Sequence, residues 1–342
     1  MQSIGRQSAA VIRHLGSLAI RTRRAPESGA VPDTPRPAIG LVTALPEEFV
    51  AMRSLLESVA SHYAVDDPAQ YTLGTLPSTD DQLHHHVALT MLGDTATNAA
   101  SNGCANMVRS FPSINVVVMV GIAAGVPAVN RPERHVRLGD IVVATEGVVD
   151  YDHVHALPGG TELRRGFPMP SARLTRCATI LKTEELSGAH PWEQWLDVTA
   201  TRTELTGYAR PPDSTDVVHD SSGYRLDHPR RSRSGHRKGW PKVHLGLIGS
   251  ADRSLRDVLV RDRLASEHRV LAIEMEGAGI GSSGFLNEVQ WFMVRGISDY
   301  GDAHRNDTWR RYASLAAAAY VRSLLAVLTP MGQGDVVETK SR

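Results

Sequence analysis

Residues 114–125 read Ile-Asn-Val-Val-Val-Met-Val-Gly-Ile-Ala-Ala-Gly. Residues 114–120 are β-branched and nearly all apolar, without the polar alternation of a half-solvated strand. That pattern predicts a central strand buried on both faces, as in a sheet covered by helices above and below. Gly121 and Gly125 then frame a small-residue turn at which a ligand can approach the backbone, although a plain strand-to-helix turn has the same composition.

Working outward, the apolar run 38–44 predicts a first strand ending at Pro46. Residues 47–59 then have helical spacing, with Phe49, Met52, Leu55, Leu56 and Val59 three and four apart. Pro46 suits the first turn of that helix, where its missing N–H costs nothing. Residues 71–76 and 85–91 read as a hairpin across a polar turn, and 97–109 as a small-residue helix. Beyond the central strand, 141–145, 147–151, 243–249, 270–273 and 291–297 read as strands. Residues 254–264, 275–285 and the Ala-rich 308–328 read as helices. Alternating strands and helices predict an α/β fold, a three-layer αβα sandwich around a mixed central sheet.

The expected organisation is one domain over 38–329, with flanking segments 1–37 and 330–342. Residues 1–37 hold five arginines by Arg24, no acid before Glu27, and then four prolines. An organelle transit peptide has this composition, but so has a disordered tail, which is the expectation here. Residues 156–241 are rich in Pro, Gly, Arg, Ser and Asp, and 210–238 lack apolar periodicity, so this stretch reads as a polar insertion. Within it, 173–185 predicts a helix and 191–196 a short one.

Composition excludes several classes. With 37 basic and 37 acidic residues in 342, the chain lacks the cationic excess of a nucleic-acid or membrane-surface binder. No apolar run reaches the roughly 18 residues of a membrane span. Only four basic residues are lysines, none in an apolar strand, so Schiff-base chemistry has no candidate and a Walker A loop is missing. Genomic base composition, rather than function, is the expected source of the arginine bias. Cys104 and Cys177 alone make no disulfide framework, which fits a reducing, cytoplasmic compartment.

Acidic residues follow three of the predicted strands: Glu47 and Glu48 after the first, Glu274 and Glu276 after 270–273, and Asp299 after 291–297. Each alone has an ordinary explanation, such as Glu47 and Glu48 complementing a helix dipole. Together they sit where α/β folds build active sites. Converging carboxylates suit glycosidic cleavage, which passes through an oxocarbenium-like sugar and needs an acid, a base and a hydroxyl clamp.

These blocks resemble the purine nucleoside phosphorylase and nucleosidase superfamily over about 38–329. The resemblance lies in Ile39-Gly40-Leu41-Val42-Thr43-Ala44-Leu45-Pro46-Glu47-Glu48, Val120-Gly121-Ile122-Ala123-Ala124-Gly125, Leu138-Gly139-Asp140, Glu274-Met275-Glu276-Gly277-Ala278 and Arg295-Gly296-Ile297-Ser298-Asp299-Tyr300. The most similar branch is 5′-methylthioadenosine/S-adenosylhomocysteine nucleosidase. Residues 299–309 also resemble nucleosidase-like domains of larger signalling or defence proteins, as does the Arg-Pro-Pro stretch at Arg210.

The resemblance implies Glu48 as the base that activates water, Asp299 as the acid at purine N7, and Glu276 as the ribose clamp with Met275 against the sugar. It further implies that Ser298 and residues 250–252, with Ser250 and Asp252, line the base site. Glu274 and the loop Gly121, Ile122 and Ala123 complete the expected substrate contacts. Asp299 would need a raised pKa to donate a proton near neutrality.

The family's phosphorylases place an arginine-bearing loop after the first strand, where this chain has Pro46, Glu47 and Glu48. Acids there repel phosphate, so water is the expected co-substrate and inorganic phosphate the alternative, with Arg295 and Arg53 as candidate anion ligands. A domain that binds nucleoside without turnover is a third reading. The base loop Ser250-Ala251-Asp252-Arg253-Ser254 departs from the family pattern in lacking an aromatic residue, and Gly93-Asp94-Thr95-Ala96 lacks its lysine. His84-His85-His86 and the pair His153 and His155 have no partner spacing for a metal site, so no metal or cofactor is expected. The expected partner is a small nucleoside, in a homo-oligomer as is usual for the family.

Overall fold

The computed structural model describes residues 36–158, 160–164, 167–197 and 202–331. The expected flanking segments therefore fall, except for residues 36–37 and 330–331, outside the described residues. The central strand is β5 (Val116–Gly125), buried along almost its whole length. It lies between β1 (Ile39–Thr43) and β13 (Gln290–Asp299), both parallel to it. The nine-stranded mixed sheet continues on one side through β4 (His85–Met91), β3 (Gln70–Leu76) and β2 (Glu57–Tyr63), with the last two pairings antiparallel. On the other side β6 (Ile141–Asp150) runs antiparallel to β13, followed by β11 (Val243–Ser250) and β12 (Ala272–Glu274).

β12 also pairs antiparallel with the end of β5, Ala272 opposite Gly125 and Ile273 opposite Ala124. This pairing closes β5, β13, β6, β11 and β12 into a ring, which brings the ends of β5, β12 and β13 to one mouth. Helices α1 (Pro46–Ser54), α3 (Ala172–Leu186) and α7 (Arg310–Ala326) pack together on one face. Helices α2 (Thr97–Ser110) and α6 (Gly277–Leu286) pair on the other, giving the three layers. Between β6 and β11 lie two small hairpins, β7 (Val154–Leu157) with β8 (Gly160–Leu163) and β9 (Val218–His219) with β10 (Arg225–Leu226), and the one-turn helix α4 (Arg231–Ser234). A further helix, α5 (Val258–His268), is capped by Asp257, whose side chain accepts the N–H groups of Leu259 and Val260.

Several elements differ from expectation, each for a physical reason. α1 stops at Ser54, and Glu57–Tyr63 becomes an exposed edge strand. Leu55 and Leu56 are buried at the corner, so the apolar spacing that mimicked a longer helix marks a turn into the core. Residues 121–125 remain strand because β12 and β13 pair with them. The two strands expected at 141–151 are one, with Gly147 at positive φ and a register shift opposite it. The helix expected from residue 254 begins at Val258, because its capping residue is Asp257.

Gly296 sits where β13 passes under α7, and a Cβ there would collide with the Ala313 carbonyl. Gly296→Ala is expected to destabilise the protein by about 1–3 kcal/mol, as overpacking does. Urea unfolding measures it; an unshifted midpoint would mean that α7 does not lie on β13 as described.

Candidate active site

Glu48 reaches the mouth because of its place in α1. It is the third residue of the helix, and its Oε2 turns back to accept the N–H groups of Ala44 (2.8 Å) and Leu45 (2.9 Å) at the unsatisfied helix start. Its Oε1 accepts the N–H of Ile122 on β5 at 2.8 Å. Gly121 does not line the cavity; it lies beneath, where a side chain would strike Glu48 and Arg295.

The second cluster follows β12. The Glu274 carboxylate accepts the N–H groups of Glu276 (3.0 Å) and Gly277 (2.9 Å), capping α6, while the Ser250 hydroxyl accepts that of Ala278 at 3.0 Å. Arg295 of β13 is fully buried and donates to both Glu274 and Glu276, the latter at 3.1 Å. Glu276 also accepts the Ala96 N–H at 3.3 Å. Three buried carboxylates, Glu48, Glu274 and Glu276, thus share one guanidinium.

This imbalance sets the proton affinities. Burial raises Glu48 above the usual carboxylate range against the opposing pull of Arg295 and three backbone N–H groups. Burial likewise lifts Glu276, pushed up to about 7, with Arg295 opposing and the negative charges of Glu274 and Glu48 reinforcing the rise.

Asp299 closes β13. Its carboxylate accepts the Gly301 N–H (2.8 Å) and the Ser298 hydroxyl (2.9 Å) and faces Arg305 Nε at 3.3 Å. The cavity these groups share measures about 280 Å³ and brings together Glu48, Ile122, Ala123, Glu274, Met275, Glu276, Ser298 and Asp299. Ser250 is buried behind α6, and Asp252 is exposed and accepts the Thr97 N–H at 3.3 Å, so neither lines it. Arg53 is exposed on α1 and Arg295 is engaged by carboxylates, so neither candidate anion ligand is free in the cavity.

Sequence reasoning did not single out Arg253, Arg305 and Arg310 as a group, yet all three line the cavity. They pair with Asp152, Asp299 and Glu47 respectively. No aromatic side chain lines it among the described residues. Nor did the polar pattern of 210–238 reveal that its histidines are ordered. His236 and His244 both hydrogen-bond Asp140, at 2.7 and 2.9 Å, and His228 bonds His135 at 2.8 Å. Buried polar networks have no apolar period to detect. Asp140, His236 and His244 are grouped closely enough to hold a metal. The Asp140 carboxylate also accepts the Arg137 and Lys242 N–H groups, so hydrogen bonds account for it without an ion. Burial disfavours its charge, but the two histidines outweigh burial and hold it below the carboxylate range.

Glu48 and Glu276 have folded-state pKa values above their unfolded ones, so their contribution to stability is present at acid pH and lost as pH rises through those values. Burial lowers the pKa values of His85, His135 and His244, which pull the wild-type profile the other way, so the expectation is placed on the difference: the melting temperature of Glu276→Gln is expected to rise relative to that of the wild type from about pH 5 to about pH 8. A thermal-shift series at constant ionic strength tests this; a Glu276→Gln profile parallel to that of the wild type would contradict it.

The model of the phosphorylase superfamily matches residues 38–328. A nucleotide-binding leucine-rich repeat (NLR)-like protein of Hyaloscypha variabilis is 29% identical over 86% of this chain, which spans 29% of that protein. A 5′-methylthioadenosine/S-adenosylhomocysteine nucleosidase of Mycobacterium bovis is 25% identical over 85% of the chain and 96% of its own length. An ATP nucleosidase of Escherichia coli is 25% identical over 82% of the chain, which covers half of it. Relatives of named activity are thus nucleosidases, and two of these three are longer than the chain matched here. With its mixed sheet, its ring of strands and its matched span of 38–328, the chain belongs to the phosphorylase superfamily.

Proposed function

We propose that this chain hydrolyses the N-glycosidic bond of an adenosine-type purine nucleoside, with water as nucleophile. The observation that carries the reading is the Glu48 carboxylate, buried in the cavity wall and made more basic by burial, beside a guanidinium already held by Glu274 and Glu276. Phosphate at that place would meet carboxylates rather than the cationic groups it requires. Water would meet a base.

In the proposed reaction the C1′–N9 bond breaks and its electron pair leaves with the purine. Once the purine has displaced Arg305, Asp299 takes up a proton from solvent and passes it to N7, so the base departs neutral. The water oxygen bonds to C1′ and gives a proton to Glu48, leaving a free sugar. Glu276 accepts the ribose hydroxyls, and Met275 packs on the sugar. Arg305 now occupies the approach to Asp299 Oδ2, so an arriving purine displaces it. The reading carries with it a cytoplasmic location, in keeping with the free thiols of Cys104 and Cys177, and a homo-oligomer.

A second reading of the substrate rests on Arg253, Arg305 and Arg310. A neutral 5′ substituent needs no such group, whereas 5′-phosphates would be bound by it. The ATP nucleosidase relative points the same way.

Chromatography of a panel of purine nucleosides and their 5′-phosphates, with and without inorganic phosphate, tests both readings. Base release is expected without phosphate and unaccelerated by it; release only with phosphate would make the chain a phosphorylase. Asp299→Asn is expected to lower kcat by at least about 100-fold with nucleoside binding largely retained. Unchanged turnover in that variant would remove Asp299 from the mechanism. Arg253→Ala is expected to raise KM about tenfold for a 5′-phosphate alone, and an equal rise for the unphosphorylated nucleoside would exclude the nucleotide reading.

A further inference from the structure

The polar stretch expected as an insertion is packed against the site. Asp216, within it, is 1% exposed and surrounded by donors. Its Oδ1 accepts the Tyr300 hydroxyl at 2.6 Å, its Oδ2 accepts Arg137 Nε at 2.7 Å, and its carbonyl oxygen lies 2.9 Å from His228 Nε2. Tyr300 immediately follows Asp299. The Tyr300 carbonyl accepts Nη1 of the buried Arg261 at 2.9 Å, and its hydroxyl oxygen accepts the Leu138 N–H at 3.3 Å. Gly301, at φ +61, then turns its N–H back to Asp299 Oδ1.

The main chain that carries Asp299 is therefore held beyond the strand end by one side chain anchored at its hydroxyl and by one cation at its carbonyl. The hydroxyl stays a donor, because burial and the Asp216 charge raise the Tyr300 pKa well above the ordinary tyrosine value. An O–H to carboxylate bond is among the stronger and more directional in proteins. A tyrosine kept only to fill space would need no such acceptor, and phenylalanine would serve. The same stretch reaches the other acidic group's helix. The Tyr208 hydroxyl donates to the Glu47 carbonyl at 3.0 Å, and Trp309 Nε1 donates to Thr215 Oγ1 at 3.0 Å.

We infer that Asp216 is a positioning residue for Asp299, acting through the Tyr300 hydroxyl to fix the backbone from which the proton-donating carboxylate projects. This inference rests on the nucleosidase reading for its kinetic effect, but not for its geometry. Neither Asp216 nor Tyr300 is a catalytic residue in the sense of touching the reacting atoms.

The test uses the full chain with Tyr300→Phe, Asp216→Asn and the double variant. Tyr300→Phe removes one hydroxyl, which frees the Leu138 N–H but leaves Asp216 paired with Arg137, so it is expected to fold even where Asp216→Asn does not. Its kcat for base release is expected to fall about 10- to 100-fold with KM within about twofold, as a small misplacement of a reacting group does. The double variant is expected to be no slower than the slower single one, because both remove the same link. Multiplying effects, or a change confined to KM, would overturn the inference. A crystal structure of Tyr300→Phe decides it independently of turnover. Asp299 is expected to shift and lose its Gly301 hydrogen bond, and an unmoved Asp299 would overturn the inference. If the wild-type chain releases no base from any substrate of the panel, the nucleosidase reading fails on its own, and the crystallographic comparison still judges the positioning role.

Discussion

Arg295 lies fully enclosed among Glu48, Glu274 and Glu276, and much of the mouth is arranged around it. Burying a charge is costly unless it is paired and hydrogen-bonded, and here one cation answers three anions. The deficit is partly met by backbone: three N–H groups reach Glu48, two reach Glu274 and one reaches Glu276. Those donors come from the starts of α1 and α6, from β5 and from the segment before α2. The cluster consequently fixes four pieces of chain at one point. It also leaves proton affinity raised on Glu48 and Glu276, the property a base needs near neutrality. Stability is given up locally to hold reactive groups in place.

Legibility in the sequence followed physical period. β5 announced itself because a strand buried on both faces has no polar residue to interrupt it. Glu48, Glu276 and Asp299 could be marked because each stands at a strand end, a position readable without knowing the sheet order. The early end of the helix expected over 47–59, and the strand that starts at Glu57, were hidden, since Leu55 and Leu56 satisfy a helical spacing and a buried corner equally. Ring closure through Ala272 and Gly125 joins residues far apart in sequence and leaves no local mark.

The arginines of the cavity and the histidines of the polar stretch escaped for a related reason. Arg253, Arg305 and Arg310 come from the segments after β11 and β13 and from the start of α7, so only the fold assembles them. His228 and His236 lie in a stretch whose composition resembles disorder, yet Asp140 and Asp216 give their neighbourhood a buried acceptor each. Polar order depends on a specific partner rather than on an average property of the segment. Composition measures only the average.

The pairing of β12 with β5 has a consequence for encounters between chains. A sheet normally ends in two strands whose unpaired N–H and C=O groups can recruit another chain. Here β12 is paired on both sides, with Ile248–Ser250 of β11 and with the end of β5, whereas β2, the last strand at the other end of this sheet, has a partner on one side only. That edge carries Glu57 and His62, has Ser58 at φ +51, and shifts register between Glu57 and Ala60. An irregular edge bearing a charge is a poor template for a second strand. The closure that gathers the carboxylates therefore also takes β12 out of the surface at which the sheet can grow into an aggregate.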